Sequence, residues 1–350
     1  MKLKSIALAA LSSVLVFAAG CGQQDTASSN GSNNSNSSGE FKIVYAHSAA
    51  ETSNTHKTGV KFKEELEKRS NGKIKVDVFS QYAGDREILE SMQRGDIGMT
   101  VSSTAPLVLF NKTLAVFDLP FLFPSKETPE KSMEAVYQVL DSAESQSLLN
   151  SLDEVGLKGL GFMGLGFREV TSNKEVQKLE DLEGLKIRTM ENKYHLATWE
   201  ALGANPTPIS FSELFTAIEQ GTVDAQENPY EIINTSKFYE VQKYLIHTDH
   251  IFNTTALTIS KKVYDSIPAD QKADFEEAVK ETVTYSRNLA MTDAKAHLEN
   301  IEKNGTKVIN LTNDEKQKMI DATQPVWEQI KQDVGEEVVN NMVKAVESVQ

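Results

Sequence analysis

The sequence is short of cysteine, of basic residues and of long apolar stretches. Its 350 residues include one cysteine, Cys21, so an intramolecular disulfide and a cysteine-based zinc site are both excluded. Acidic residues outnumber Lys and Arg by 50 to 36, and the resulting formal charge of −14 is atypical of a nucleic-acid-binding protein. Hydrophobic residues still make up 39% of the chain, which is enough to build the cores of two domains.

Motifs for catalysis and for cofactor binding are scarce as well. The sequence has no H-E-x-x-H or G-x-S-x-G motif, and paired acids such as Asp85 and Glu87 are predicted on solvated helix surfaces. Residues 159–164 fit G-x-G-x-x-G, but strand-like residues follow where a nucleotide-binding helix would have to begin. His247 and His250 have no Glu or Cys at ligand spacing. The sequence therefore predicts a protein that is not an enzyme and that uses neither a metal nor a cofactor.

The first 39 residues resemble an export signal followed by a tether. Residues 1–20 have a basic start, an apolar run over 6–17 and small residues at the end, as a secretory signal peptide does. The apolar run is shorter than the roughly 20 residues of a membrane-spanning helix. Cys21 follows directly, as in a bacterial lipobox with Ala18 in place of the usual Leu, so we expect a lipidated Cys21. Residues 21–39 are otherwise mostly Ser, Asn and Gly and predict a flexible linker.

The rest of the chain alternates strands with helices. Apolar–polar alternation predicts strands such as 41–46, and apolar residues three and four apart predict helices such as 55–69. This order favours parallel sheets with crossover helices. Residues 269–303 contain neither Pro nor Gly, and a continuous helix of that length would span about 50 Å and bridge two domains. Residues 130–155 and 311–350 are also predicted to be helical, with Trp327 as a packing anchor.

Two arginines stand in apolar surroundings. Arg188 lies within a predicted strand, 184–189, so its side chain points to the face opposite those of its neighbours. Arg168 ends a run of Gly and apolar residues. A buried guanidinium requires a partner, and its planar fork fits a carboxylate through two hydrogen bonds. That carboxylate belongs either to the protein or to an anionic ligand, and the residues alone leave both alternatives open. Asn228 precedes a proline, so it is extended or in a turn and its amide is available to a cleft.

Several longer motifs point to a known family. The stretches 184–188 (G-L-K-I-R), 202–208 (L-G-A-N-P-T-P) and 220–229 (Q-G-T-V-D-A-Q-E-N-P) resemble the extracytoplasmic solute-binding subunits of TRAP transporters, the DctP family. Shorter motifs at 70–74, 84–87 and 237–244 add to the resemblance, which extends from Glu40 to the C-terminus.

The resemblance implies an α/β fold of the periplasmic-binding-protein type, with two lobes, a ligand cleft between them and a long helix across both. Lobe I is expected to comprise residues 40–165 and 254–293, and lobe II residues 166–253 and 294–350. The chain is expected to pass between the lobes near Gly166 and near Asn253.

The resemblance also implies a function in transport. The protein would capture a small organic acid that carries a carboxylate, close its cleft and deliver the acid to the TRAP permease subunits of the membrane. A lipid at Cys21 would hold it on the extracytoplasmic face of the cell membrane. Two alternatives remain open: a secreted enzyme that acts on acidic sugars, and a lipoprotein that senses its ligand.

Site residues follow from the same resemblance. Arg188 would form a bidentate salt bridge to the ligand carboxylate, Arg168 and Asn228 would support that carboxylate, and Phe211 would pack against the ligand. The other lobe would contact the remainder of the ligand, with these candidates: His47, Ser48, Asp85, Ser102 and Ser103. Residues 99–107 lack the Glu and Arg of the sialic-acid-binding members, so we expect a smaller acid, a uronate, an aldonate or a C4-dicarboxylate.

Overall fold

A computed structural model of the chain describes residues 40–349. The predicted signal peptide, the predicted lipidation site at Cys21 and the predicted linker lie outside these residues. The described strands are β1 (Phe41–Ala46), β2 (Ile74–Phe79), β3 (Met99–Ser103), β4 (Leu157–Phe167), β5 (Glu169–Ser172), β6 (Lys186–Thr189), β7 (Asn205–Pro208), β8 (Ala225–Asn228), β9 (Tyr244–His247), β10 (Phe252–Ser260) and β11 (Lys307–Asn310).

Helices separate most of these strands. They are α1 (Asn54–Arg69), α2 (Asp85–Arg94), α3 (Thr104–Leu107), α4 (Pro129–Leu140), α5 (Ala143–Asn150), α6 (Lys193–Ala201), α7 (Phe211–Glu219), α8 (Tyr230–Thr235), α9 (Lys261–Ser266), α10 (Lys272–Lys303), α11 (Asn313–Ala322), α12 (Gln324–Val334) and α13 (Glu336–Glu347). Shorter 3₁₀ turns occupy Lys112–Asp118, Ser151–Val155, Leu179–Leu182, Phe238–Glu240 and Ala269–Gln271.

The described strands form two sheets, each at the centre of one lobe. The first has the order β2-β1-β3-β10-β4, and the second has the order β11-β9-β5-β8-β6-β7. Apolar side chains cover both faces of each sheet, so each sheet carries two core clusters. The predicted two-lobed α/β architecture is confirmed.

The predicted long helix is present as α10, whose 32 residues at about 1.5 Å each give a length of about 48 Å. Phe275, near its start, packs in the core of the first sheet beside Phe62. Ile301, near its end, packs in the core of the second sheet. The helix therefore bridges both lobes, as expected.

The sheets are mixed. The expected parallel pairing is confirmed for β1 with β2 and β3, for β6 with β7 and β8, and for β9 with β11, but it does not extend to β4, β5 and β10. β10 runs antiparallel to both β3 and β4, and β5 runs antiparallel to both β8 and β9. The strands β4 and β10 each continue directly into or out of the other lobe without a crossover helix. Because β4 leads out of the first lobe and β10 leads back into it, the two strands run in opposite directions. A parallel pairing would have required a crossover helix between them.

The predicted helix over 130–155 is broken. It consists of α4, α5 and a 3₁₀ turn, because Ser142 is extended and its side chain accepts a hydrogen bond from the amide of Ser145. Ser142 thereby acts as an N-cap for α5. The helical C-terminal region likewise divides into α11, α12 and α13, and Trp327 of α12 is half-buried, with Nε1 donating to the carbonyl of Pro120 at 2.9 Å.

The chain passes between the two sheets at Arg168, which separates β4 from β5, and again over 248–251, between β9 and β10. The two passages are bonded to each other, since the amide of Arg168 donates to the carbonyl of Ile251 at 2.8 Å. We had expected residues 294–350 in lobe II, but α12 and α13 pack in the core of the first sheet, through side chains such as Ile330 and Met342.

Candidate functional site

Arg188 lies on β6, at the bottom of the cleft between the lobes. Ile187 and Arg188 point to opposite faces: Ile187 is buried in a core cluster, whereas Arg188 lines the cleft with 2% of its surface exposed. Its Nε donates to the carbonyl of Ile209 at 2.8 Å, and its Nη1 has no hydrogen-bond partner among residues 40–349. Burial lowers the pKa of Arg188 to about 10, so the guanidinium remains charged at neutral pH. Arg188 therefore offers a buried charge and an unmatched donor to the cleft.

Arg168, at the first passage between the lobes, is fully engaged by the protein. Its guanidinium pairs with both carboxylate oxygens of Glu227, with Nη2 to Oε1 at 2.9 Å. Nη1 donates to Oδ1 of Asn253 at 2.8 Å, and Nη2 donates to Oδ1 of Asn228 at 3.2 Å. Burial raises the pKa of Glu227, but the charge of Arg168 and a hydrogen bond from His250 outweigh it and hold that pKa well below its usual range. For Arg168, the protein carboxylate is the partner that the structure contains.

Asn228 and Phe211 line the same cavity as Arg188. Asn228 ends β8 and lines the cleft, where its Oδ1 accepts from Arg168 and its Nδ2 donates to Gln226. Phe211 begins α7, and its ring centroid lies 6.0 Å from the guanidinium carbon of Arg188. Arg188 and its neighbours thus form one wall of the cleft, with a cation, an amide and an aromatic face.

The opposite wall comes from lobe I and is largely polar. Asp85, the first residue of α2, accepts a hydrogen bond at Oδ1 from the hydroxyl of Ser48 at 2.6 Å. Burial raises the pKa of Asp85, while the Ser48 hydroxyl and the charge of Arg188 oppose that rise. Ser102 and Ser103 also line the cleft, and the Ser103 hydroxyl donates to Oδ1 of Asn253 at 3.1 Å.

His47 lies behind this wall rather than on it. Its Nε2 is 3.1 Å from Nδ1 of His56, and it is absent from the residues that line the cleft. Burial, together with the neighbouring His56, lowers the pKa of His47 to about 3. A neutral His47 supports the segment that carries Ser48, so of the lobe I candidates it is the one that the structure does not bring to the cleft surface.

The cleft encloses a cavity of about 60 Å³ between these walls and opens on either side into wider grooves of about 300 Å³ and 390 Å³. At one mouth Arg86 of lobe I donates to Glu191 of lobe II at 2.6 Å, so the lobes meet across the groove. The following cavity-lining residues were not predicted as site residues: Thr55, Leu165, Met190, Ile232, Asn253 and Thr255.

Asn253 is a cavity-lining residue of β10 whose contacts sequence analysis did not predict. The register of β10 against β4 shifts between Phe252 and Thr254, where two residues of β4, Leu165 and Gly166, stand opposite Asn253, so the bulge lies on β4. Bulges re-aim side chains next to functional sites. Opposite this bulge Asn253 accepts from both Arg168 and Ser103, which lie 85 and 150 positions away in the chain, so local sequence pattern does not indicate these contacts.

Other motifs have structural roles. The glycines of 159–164 lie within β4, where a side chain at Gly161 would collide with Val283 of α10, so they permit close packing and do not open a helix. His247 and His250 have protein partners, since His247 bonds to Asn310 and His250 to Glu227. Among residues 40–349 no cluster of three or more His, Cys, Asp or Glu side chains is arranged to bind a metal, and no helix there is long and apolar enough to cross a membrane.

Comparison with known proteins gives consistent matches. Residues 45–333 match the family described as DctP, bacterial extracellular solute-binding protein, family 7. The C4-dicarboxylate-binding periplasmic protein DctP of Rhodobacter capsulatus is 32% identical over 85% of this chain and 88% of its own length.

Solved structures agree in fold. The sugar acid binding protein DctPAm of Advenella mimigardefordensis, in complex with galactonate, has 35% identity and a TM-score of 0.84, over 88% of this chain and 98% of that one. A TRAP periplasmic solute binding protein of Shewanella oneidensis with bound succinate has 30% identity and a TM-score of 0.83, over 88% of this chain and 100% of that one. The chain therefore belongs to the DctP family of extracytoplasmic solute-binding proteins, the binding components of TRAP transporters.

Proposed function

We propose that this protein binds the carboxylate of a small organic acid at Arg188, closes its two lobes over the acid and delivers it unchanged to a TRAP permease. The observation that carries the proposal is the buried guanidinium of Arg188, whose Nη1 is without a partner among the described residues. Relatives of this chain are named for C4-dicarboxylate, galactonate or succinate binding, and each of these ligands carries a carboxylate.

The two arginines have different roles in ligand binding. Arg188 receives the ligand, because its fork is free to form charge-assisted hydrogen bonds, which are about twice as strong as neutral ones. Arg168 is a positioning residue, since its pairing with Glu227 leaves it to hold Asn228 and Asn253 in the cleft wall. The Arg188–carboxylate attraction strengthens as closure excludes water and lowers the local dielectric constant.

Ligand binding selects the closed arrangement of the lobes. A ligand that contacts both walls binds the closed form better than the open one and shifts the population by that difference in affinity. The lobe division we propose follows the passages at Arg168 and over 248–251, with α12 and α13 assigned to lobe I because of their packing. We also propose that a lipid on Cys21 retains the protein at the extracytoplasmic face of the cell membrane.

The test is ligand binding to the full chain and to two variants of Arg188. Titration calorimetry and thermal unfolding are measured with uronates, aldonates and C4-dicarboxylates, and with neutral sugars as controls. For the parent, an acid at about a thousand times its Kd adds roughly 4 kcal/mol to the stability. Arg188→Ala should weaken binding of every acid at least about 100-fold, because it removes two charge-assisted hydrogen bonds of about 1.5–3 kcal/mol each.

Arg188→Lys is the matched control for charge. It retains the cation but loses the planar fork, so its affinity should fall between those of the parent and of Arg188→Ala. An Arg188→Ala variant that binds its acid with parental affinity would exclude the carboxylate role. Recovery of a chemically altered acid after long incubation would instead favour the enzyme alternative.

A further inference from the structure

The cleft offers one cation to a ligand. Among the residues that line the cavity, those with charged side chains are Asp85, Arg168 and Arg188. The charge of Arg168 is already matched by Glu227. His47 adds no charge, since its depressed pKa keeps it neutral. One ligand carboxylate therefore uses all of the unmatched positive charge that lines this cavity.

A second carboxylate on the ligand would meet Asp85. The aspartate stands on the lobe I wall close enough to Arg188 for their charges to interact, and its Oδ1 is bound by Ser48. Its Oδ2 has no hydrogen-bond partner among residues 40–349. Two carboxylates in a closed cleft without a second cation repel each other, and the low dielectric constant there leaves this repulsion unscreened.

Hydroxyl groups on the ligand would meet matching partners instead. An ionised carboxylate accepts hydrogen bonds and donates none, so Oδ2 of Asp85 is suited to a ligand O–H. The same cavity is lined by further small polar side chains that both donate and accept, namely Thr55, Ser102, Ser103 and Thr255. Apolar residues such as Met190 and Ile232 line the same cavity and would contact the carbon chain of the ligand.

We propose that the cleft takes a monocarboxylate that carries several hydroxyl groups, a sugar acid, and that Asp85 is the residue that selects it over dicarboxylates. The inference rests on the proposed function, because it assumes that Arg188 holds the one carboxylate. Asp85 receives hydroxyl donors and repels a second carboxylate, and Ser48 fixes the orientation of Asp85.

The experiment compares ligands that differ at one end. Galactonate and galactarate have the same hydroxylated chain, but galactarate carries a second carboxylate in place of the terminal CH₂OH group. Kd values of the full chain are measured by calorimetry for this pair, for gluconate, glucuronate and erythronate, and for succinate. We expect at least one of the four sugar monocarboxylates to bind, and galactarate and succinate to bind at least about 100-fold more weakly than it, equivalent to about 2.7 kcal/mol.

Asp85→Asn tests the role of the aspartate itself. The substitution retains the size and the Ser48 contact but removes the charge, so the preference over galactarate should narrow at least tenfold. Ser48→Ala, which releases Asp85 without changing its charge, should weaken sugar-acid binding by a smaller factor. Asp77→Asn, at an exposed position on β2, is the matched control and should leave the preference unchanged.

The outcomes separate the two proposals. Binding of galactarate or succinate to the parent as tightly as any sugar monocarboxylate, or binding of none of the four, would overturn the sugar-acid inference. An unchanged preference in Asp85→Asn, with the variant folded as judged by its unfolding transition, would overturn the role of Asp85. If either result were accompanied by loss of all binding in Arg188→Ala, the proposed function would stand; acid binding that survives Arg188→Ala would overturn that function as well.

Discussion

At the scale of single residues, the two buried arginines have opposite effects on the stability of the ligand-free protein: Arg168 stabilises it, and Arg188 destabilises it. Arg168 gains a bidentate carboxylate partner and three further acceptors, so its burial is compensated. Arg188 is equally buried, but its protein contacts are one carbonyl and the more distant charges of Glu227 and Asp85. A buried charge without a full partner costs stability, and binding a ligand recovers that cost.

Replacing each arginine by Met should therefore have different effects on the free energy of unfolding. Arg168→Met leaves Glu227 buried without its cation and should destabilise the ligand-free protein by about 3–5 kcal/mol. Arg188→Met removes an incompletely paired charge and leaves only the Ile209 carbonyl without its donor, so stability should stay within about 1 kcal/mol of the parent or rise. Urea unfolding of the ligand-free proteins measures both, and equal losses in the two variants would contradict this division.

Sequence reasoning reached Arg188 because strand alternation alone turns it away from the apolar side chain of Ile187. It did not identify Glu227 as the partner of Arg168, although Glu227 lies in a motif that had been noted. The two residues are 59 positions apart: Arg168 directly precedes β5, and Glu227 lies on β8, which pairs antiparallel with β5. Local sequence pattern does not indicate which distant residues come into contact. The same holds for Thr55, which reaches the cavity from the start of α1.

At the scale of elements, helix and strand positions were largely predictable and strand directions were not. The helix α1 spans Asn54–Arg69, within one residue of the predicted 55–69, because its buried residues repeat with helical spacing. The strand β10 is buried along its whole length, so its residues show no alternation from which face or direction could be inferred. Its placement between β3 and β4 is decided by contacts far apart in sequence.

The contact between α8 and α1 gives a prediction that depends on pH. Oε1 of Glu231, in the first turn of α8, accepts from the amide of Asn54 at 2.8 Å, while Oε2 is buried without a partner among the described residues. Burial raises the pKa of Glu231 to about 7, against the opposing effects of the Asn54 amide and Lys57. Between about pH 4.5 and 7, Glu231 is therefore protonated in the native state and ionised in the unfolded state. The free energy of unfolding falls as the pH rises through this range, because the native state must then bury a charged Glu231.

Glu231→Gln should accordingly stabilise the protein by up to about 3 kcal/mol at pH 8 and by under about 1 kcal/mol at pH 5, while retaining an acceptor for Asn54. Denaturant unfolding at the two pH values measures the difference. The control is Glu281→Gln, at an exposed position on α10. A gain for Glu231→Gln that is larger at pH 5 than at pH 8 would refute the assignment.

At the scale of the whole molecule, the net charge bears on the proposed retention of the protein at a membrane by a lipid. A chain with 50 acidic and 36 basic residues is repelled by an anionic bilayer surface, so electrostatic adsorption does not hold it there. Acyl chains bind through apolar burial at about 0.8 kcal/mol per CH₂ group, independently of that charge. The proposed lipid on Cys21 would therefore act without any contribution from the net charge of the protein.

Cys21→Ser should move the protein from the membrane fraction to the soluble fraction of cells that express it. Affinity for its acid should remain within about twofold of the parent, because the proposed binding residues, from Ser48 onwards, follow the predicted linker in the sequence. Fractionation with immunoblotting and calorimetry are the measurements. A Cys21→Ser protein that stays in the membrane fraction would show that another feature holds it.

The position of β10 has a consequence for the order in which the molecule assembles. Strands β3 and β4 are both made before residue 168, yet they are not neighbours, because β10, at residues 252–260, pairs with each of them from between. As the chain emerges from its export channel, the first sheet stays split until the whole second-lobe segment that precedes β10 has emerged. Residues 169–247, which supply five of the six strands of the second sheet, are contiguous and close their contacts over shorter loops. The cleft is therefore completed late. It forms when β10, which follows the second-lobe segment in the chain, pairs with both β3 and β4 and closes the first sheet.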